Sequence, residues 1–178
     1  MGIKLAAASG GSIELVPTNT ASNFTATVPS RTGNVAIDGP AFSAYVNNNQ
    51  NITASTFTKI QLNAKLFDTA SAFDAVTNYR FQPTVAGYYQ FSGNLYFSST
   101  VSVTTAYIIA YKNGSSASYG SNNSATNTTM MSSFASLIYL NGSTDYVELY
   151  TYVTGAGTIT TISGSSLSYL AGCLARAA

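Results

Sequence analysis

The sequence predicts an all-β sandwich or barrel, and three observations carry that prediction. Short apolar runs alternate with polar residues at a period of two. Gly, Asn and Pro punctuate these runs at close intervals, and no window carries a helical period. The runs are rich in β-branched and aromatic residues, and many of them at short spacing fit a sandwich or barrel.

The strands follow in order. Gly10-Gly11-Ser12 opens Ile13-Glu14-Leu15-Val16, which Pro17 breaks. Phe24 to Val28 is a second run, closed by Pro29, and Asn34-Val35-Ala36-Ile37 a third. Asp38-Gly39-Pro40 is turn chemistry and a natural boundary. It divides the chain into an arm, residues 1–39, and a main domain, residues 40–178. Three strands this short do not hold a core alone, so the arm is expected to pair with itself in a trimer or to dock on another protein.

In the main domain, Tyr88 to Phe97 sets Tyr89, Phe91, Leu95 and Phe97 on related alternate positions, with Phe91 and Leu95 the leading core candidates. Tyr107 to Tyr111 follows, and Lys112-Asn113-Gly114 reads as a hairpin turn. Met131 to Leu140 is a further run, ended by Asn141-Gly142. Next, Val147, Leu149, Thr151 and Val153 face one way, while Tyr146, Glu148, Tyr150 and Tyr152 face the other. Gly155 and Gly157 mark a turn, and Thr158 to Ile162 and Leu167 to Leu174 complete the series.

Composition narrows the function. Of 178 residues, 46% are apolar and 12% aromatic, with 13 Tyr, 9 Phe and no Trp. Only 7% are charged, against roughly 25% in ordinary soluble domains. The net charge of +1 supplies no field for nucleic acid or anionic lipid. A polar surface of Ser, Thr and Asn repels neighbours weakly and suits a protein covered by copies of itself or by a larger assembly. No apolar stretch reaches the ~20 residues of a membrane span. The start lacks the length of a signal peptide, and Ala6 stands where a myristoylation signal has Ser or Thr. Synthesis in a cytoplasm without the usual export is therefore expected.

Residues 40–178 resemble the globular head of complement component 1q and the tumour-necrosis-factor superfamily. Pro40-Ala41-Phe42-Ser43-Ala44-Tyr45 is similar to the family's first strand. Leu62, Asp68 and Phe73 lead to Phe81-Gln82-Pro83 and Ala86-Gly87-Tyr88-Tyr89-Gln90-Phe91, which resembles its signature of a Phe six residues before a Gly-x-Tyr-x-Phe strand. Tyr111-Lys112-Asn113-Gly114 resembles the mid-domain turn, and Asp145 to Leu149 and Ser168 to Leu174 the last strands. The chain departs from the pattern at three places. Leu62 stands where an aromatic is usual, Phe73 to Phe81 is one residue longer, and Gly93 replaces an aromatic. The resemblance implies a ten-strand jelly roll that forms tight homotrimers.

The arm has its own resemblance. Gly11 to Pro17, Thr20-Ala21-Ser22-Asn23, Val28-Pro29 and Thr32-Gly33-Asn34-Val35-Ala36 are similar to a segment of phage tail-fibre and virion-surface proteins. The two resemblances together imply a virion structural protein.

Catalysis finds little support. Without His, the commonest general base and metal ligand are missing, and no Ser-His or Cys-His pair can form. No phosphate-cradling Gly-Lys-Ser loop is present. The carboxylates are Glu14, Asp38, Asp68, Asp74, Asp145 and Glu148. Asp68 and Asp74 are close enough for a cation site or an acid pair, but turn-capping in a surface loop is the preferred reading. Asp145 and Glu148 differ by an odd number, so on one strand they face opposite sides and do not make a glycosidase pair. Asn-x-Ser/Thr sequons such as Asn51-Ile52-Thr53 and Asn141-Gly142-Ser143 are expected by chance here. The lone Cys173 cannot form an intrachain disulfide and is expected to be a buried apolar side chain. Met130-Met131 reads as core filling before adaptable contact. The tyrosines read first as strand-face and subunit-interface residues and second as a recognition surface.

The expected function is non-enzymatic, with no catalytic, cofactor or metal site. A trimeric jelly roll sits on a phage particle, held to capsid or tail proteins by its arm. The absence of a long shaft ahead of the arm favours a capsid decoration (cement) protein or head fibre. The alternative is a tail-fibre tip that binds a host glycan or surface protein. An enzyme acting on surface polysaccharide is disfavoured by the missing catalytic groups.

Overall fold

The computed structural model describes residues 3–6, 10, 12–15 and 39–178, and among them helix is absent. The chain divides into two units, Met1–Val35 and Ala36–Ala178. In the first, β1 (Ile3–Ala6) pairs antiparallel with β2 (Ser12–Leu15). The expected strand at Ile13 thus has a partner at the very start of the chain, where the sequence shows too short an apolar run to be noticed. The strands read at Phe24 to Val28 and Asn34 to Ile37 lie outside the described residues.

The second unit has short strands β3 (Ala41–Tyr45), β4 (Gln50–Ile52), β5 (Thr58–Lys59), β6 (Ala64–Asp68), β7 (Phe73–Asp74) and β8 (Arg80–Phe81). The long strands β9 (Gly87–Lys112) and β10 (Ser115–Leu140) follow, then β11 (Val147–Ala156), β12 (Ile159–Thr161) and β13 (Tyr169–Ala177). Lys112-Asn113-Gly114 makes the expected turn. Asn113 and Gly114 both have positive φ, 52° and 78°, as a type I′ turn requires.

The β9–β10 hairpin runs through both layers of the sandwich. In the first layer, the Gly87 half of β9 pairs with β13 on one side and with the Leu140 half of β10 on the other. β13 then pairs with β3, and β3 with β6. In the second layer, the Lys112 half of β9 lies between β11 and the Ser115 half of β10. β11 also pairs with β5 and β8, and β8 with β7. β12 joins β4 to β9. Eleven strands build this sheet system, against the ten that the resemblance implies. β9 and β10 each serve two layers and count once, while the short pieces count separately.

The sequence reading divided β9 into two runs and left Ser115 to Met130 outside the strands. Asn, Ser and Gly there have weak strand propensity, and the continuous register against β9 overrides it. Gly155 belongs to β11, at a register shift, and only Gly157, with φ of 76°, makes the turn.

Phenylalanine rings hold the layers together. Phe42 of the first layer stacks on Phe81 of the second with centroids 4.3 Å apart, and on Phe73 at 5.0 Å. Phe91 and Tyr89 meet Phe81 edge-on at 6.0 and 5.5 Å. Phe42, Phe81, Tyr89, Phe91, Leu95 and Phe97 are fully buried, as are Val147, Leu149, Thr151 and Val153 on β11. The buried Tyr89 hydroxyl donates to the Val85 carbonyl at 2.7 Å, and burial pushes its pKa up to about 12.

The departures from the family pattern are absorbed locally. Leu62 is fully buried. Gly93 lies opposite Phe134 of β10, and a Cβ on Gly93 would sit 2.6 Å from that ring. The aromatic missing from β9 is supplied by its neighbour.

Phe91→Ala removes a ring from this stack and should cost ~3–5 kcal/mol in a denaturant titration. A loss below about 1 kcal/mol would show that the stack does not hold the layers.

Candidate interaction surface

The described carboxylates of the second unit, Asp68, Asp74, Asp145 and Glu148, are engaged in turns and ion pairs. Asp74 Oδ1 accepts from the N–H groups of Val76 and Thr77 at 2.9 and 3.0 Å. Its Oδ2 accepts from Asn78 N and Nδ2. The Thr77 and Val76 bonds chiefly hold its pKa well below the carboxylate range. Burial alone would raise Asp68, but N–H groups of Phe73 and Ala72 and the Lys65 ammonium outweigh it and lower the pKa. The preferred turn-capping reading of this pair is what the structure shows, and Asp68 adds an ion pair.

Asp145 accepts from Lys112 at 2.8 Å and from Asn113 Nδ2 at 2.7 Å, which with the Asn141 N–H lower its pKa. Glu148 is buried and paired with Lys59. Glu14 is exposed on β2, and Asp38 lies outside the described residues. Among the described residues, no three His, Cys, Asp or Glu side chains gather as metal ligands would.

Two outward faces remain. On the first layer, register places side chains in rows, because directly opposed residues share a face. Tyr139 lies opposite Tyr88, and Leu137 opposite Gln90, Cys173 and Ala41. Ala135 lies opposite Ser92, Ala171, Ser43 and Phe67. Leu137, Phe67, Tyr88 and Tyr139 are 56%, 49%, 44% and 41% exposed. The rows hold no charge until Arg176, opposite Tyr88, and Lys112, beside the Tyr139 ring.

Cys173 belongs to this face and is exposed, contrary to the expected burial. The inward position is its neighbour Gly172, where an added Cβ would lie 2.8 Å from the Phe91 ring and 2.9 Å from Phe42. The apolar neighbours in sequence hid the alternation. Met130 and Met131 divide likewise: Met130 is buried, while Met131 is exposed on this same face.

β10 borders both faces. Its 26 residues contain no charge and no proline. Its halves touch where Ser133 N–H donates to Ser121 Oγ at 2.9 Å. Elsewhere, among the described residues, β9 is its sole strand partner. Natural edge strands are usually blunted by charge, proline or a cover.

The outward face of the second layer carries aromatic rings. Tyr119 of β10, Tyr107 of β9, Tyr152 of β11 and Phe57, in the turn before β5, form a row across the strands. Successive centroids are 6.5, 6.1 and 5.0 Å apart. Alongside, Tyr111 stacks on Tyr150 at 4.0 Å, and the Arg80 guanidinium lies 4.2 Å from the Tyr146 centroid. Tyr107, Tyr111, Tyr119, Tyr146, Tyr150 and Tyr152 are thus gathered on this layer, a placement that composition could not supply.

No family profile matches the chain, and no curated protein matches it. Solved structures do. The globular domain of zebrafish complement 1qA aligns over 79% of this chain and all of its own, with 17% identity and a TM-score of 0.56. Eiger TNF from S. frugiperda aligns over 80% and 96%, with 11% identity and a TM-score of 0.62. Murine APRIL aligns over 75% and 96%, with 12% identity and a TM-score of 0.53. The fold is a complement 1q/TNF-like jelly roll. At these identities the likeness is one of fold, and it bears out the resemblance read from the Phe81 to Phe91 signature and the strands around it.

The jelly roll should lose stability in acid. Asp68, Asp74 and Asp145 have lower pKa values folded than unfolded, so their contribution is complete above the ordinary value near 4. It is lost as pH falls through the folded values. The melting temperature, followed from about pH 7 to about pH 2, should drop below about pH 4. Asp74→Asn should flatten that drop, and an unchanged acid profile would remove the turn caps from the account.

Proposed function

We propose that this chain is a non-enzymatic structural protein of a phage particle surface. It works as a homotrimer whose jelly rolls pack through the uncharged face of the first layer. The observation that carries the oligomer is that face together with its border, β10. Small side chains (Ala135, Ser92, Ala171, Ser43) leave it flat, and Leu137, Tyr88, Tyr139 and Phe67 give it apolar area. A flat apolar face beside an undefended edge is what a neighbouring copy covers. An edge set against a face is a heterologous contact, which closes into a ring and so accommodates three copies.

The phage setting rests on the arm's similarity to virion-surface segments. Residues 1–39 are the attachment element and 40–178 the projecting domain. A capsid decoration protein or head fibre is the first reading. A tail-fibre tip is the second, and the tyrosine row favours it. Copy number per particle separates them, since a capsid lattice holds far more copies than a tail.

Native mass in chelator should be three times 18.6 kDa, and a monomer would end the trimer reading. Cys173 supplies a second readout from within the contact. Its thiol should react slowly in the assembled protein and fast in dissociated chains, and fast labelling of intact trimer would move the contact to another face.

A truncated chain beginning at Gly39 should remain a folded trimer yet fail to bind particles lacking this protein. Normal particle binding by that truncation would place attachment on the jelly roll. Its unfolding would make the arm part of the core.

A further inference from the structure

We propose that the ring row of the second layer, Tyr119, Tyr107, Tyr152 and Phe57, is a binding site for an uncharged polysaccharide. The proposal extends the particle-surface reading to a partner but rests on one protomer's geometry alone.

Four properties of the row point to that ligand. First, it is a line of four rings with centroid steps of 5.0 to 6.5 Å, comparable to the length of a pyranose. A linear glycan fits such a row, laying successive sugars over successive rings. Second, its ends are open: Tyr119 is 57% exposed and Phe57 50%. Sugar C–H faces pack on aromatic faces, and tyrosine offers that area at little entropic cost.

Third, polar groups accompany the rings. Asn122 Nδ2 donates to the Tyr107 hydroxyl at 3.2 Å, leaving that hydroxyl's proton for a ligand. Among the described residues, the hydroxyls of Tyr119 and Tyr152 make no hydrogen bond to protein. The neighbouring Tyr111 hydroxyl is a further phenol beside the row. Fourth, the cations nearby are few and already engaged. Lys59 is paired with Glu148, and Arg80 lies over Tyr146 while donating to Gln82. An anionic ligand would meet one guanidinium without a carboxylate partner, Arg80, while sugar hydroxyls would find phenols and amides along the row.

Affinity electrophoresis through gels containing a soluble glucan, galactan or mannan tests this, with heparin as the anionic control. The intact protein should be retarded by at least one neutral polymer and not by heparin. Tyr119→Ala with Phe57→Ala should weaken retardation about tenfold, since both rings are half exposed and their removal leaves the core intact. Native mass and melting temperature of the double variant should stay those of the parent, which keeps this outcome separate from any loss of the trimer. Retardation by none of the neutral polymers, retardation by heparin alone, or full retardation of the double variant would each overturn the proposal.

Discussion

The pairing of β9 with β10 is the constraint on which the remaining structure depends. Each strand is 26 residues long and each passes through both layers, so one hairpin fixes the register of both sheets. Its turn is pinned twice. Asn113 and Gly114 supply the positive φ values, and the Asn113 side chain bonds Asp145 and the Tyr146 N–H at 2.7 and 3.0 Å. A slip of one residue would turn Tyr89, Phe91, Leu95 and Phe97 outward together. The two outward faces inherit the same register: rows such as Ala135 with Ser92, or Tyr107 with Asn122, exist only because the hairpin is aligned.

Scarcity of charge then decides what the faces can be. Lys59, Lys65 and Lys112 each pair with a carboxylate. Apart from Arg80 and the exposed Arg176, what these faces present is hydroxyl, amide, methyl and ring. One layer presents these as a smooth sheet with scattered large side chains, the other as a line of rings. The same composition thus yields two surfaces of different character, and the difference lies in which residues the ladder sets opposite one another.

The sequence made the centre of this fold legible and its borders less so. Alternation exposed β11, and the Asn-Gly pair announced the hairpin, because both signals are local. The Ser115 half of β10 carried no such signal, since its strand state comes from pairing with distant residues. Cys173 was misplaced for a related reason: its neighbours Leu170 and Leu174 suggested an apolar stretch, yet Gly172 is the residue pressed against Phe91 and Phe42. The surfaces were less accessible still. Tyr119, Tyr107, Tyr152 and Phe57 come from four separate places in the chain, and only the register brings them together.

The pairing of β3 with β13 has a consequence for how the chain reaches this state. Ala41 lies opposite Cys173, and the Leu174 N–H donates to the Pro40 carbonyl at 2.9 Å. The first strand of the jelly roll therefore finds its central partner only after the last strand has been synthesised. Until then Phe42 has no closed core to enter, although β9 and β10 can already zip from their turn. Closing so long a loop is slow, because its entropy is lost before the contacts that offset it form. The β9–β10 hairpin can therefore pair before β3 meets β13, although β3 already has β6 within reach. An uncharged β10 that pairs with β9 alone is, during that interval, an edge at which strands of other chains compete with folding.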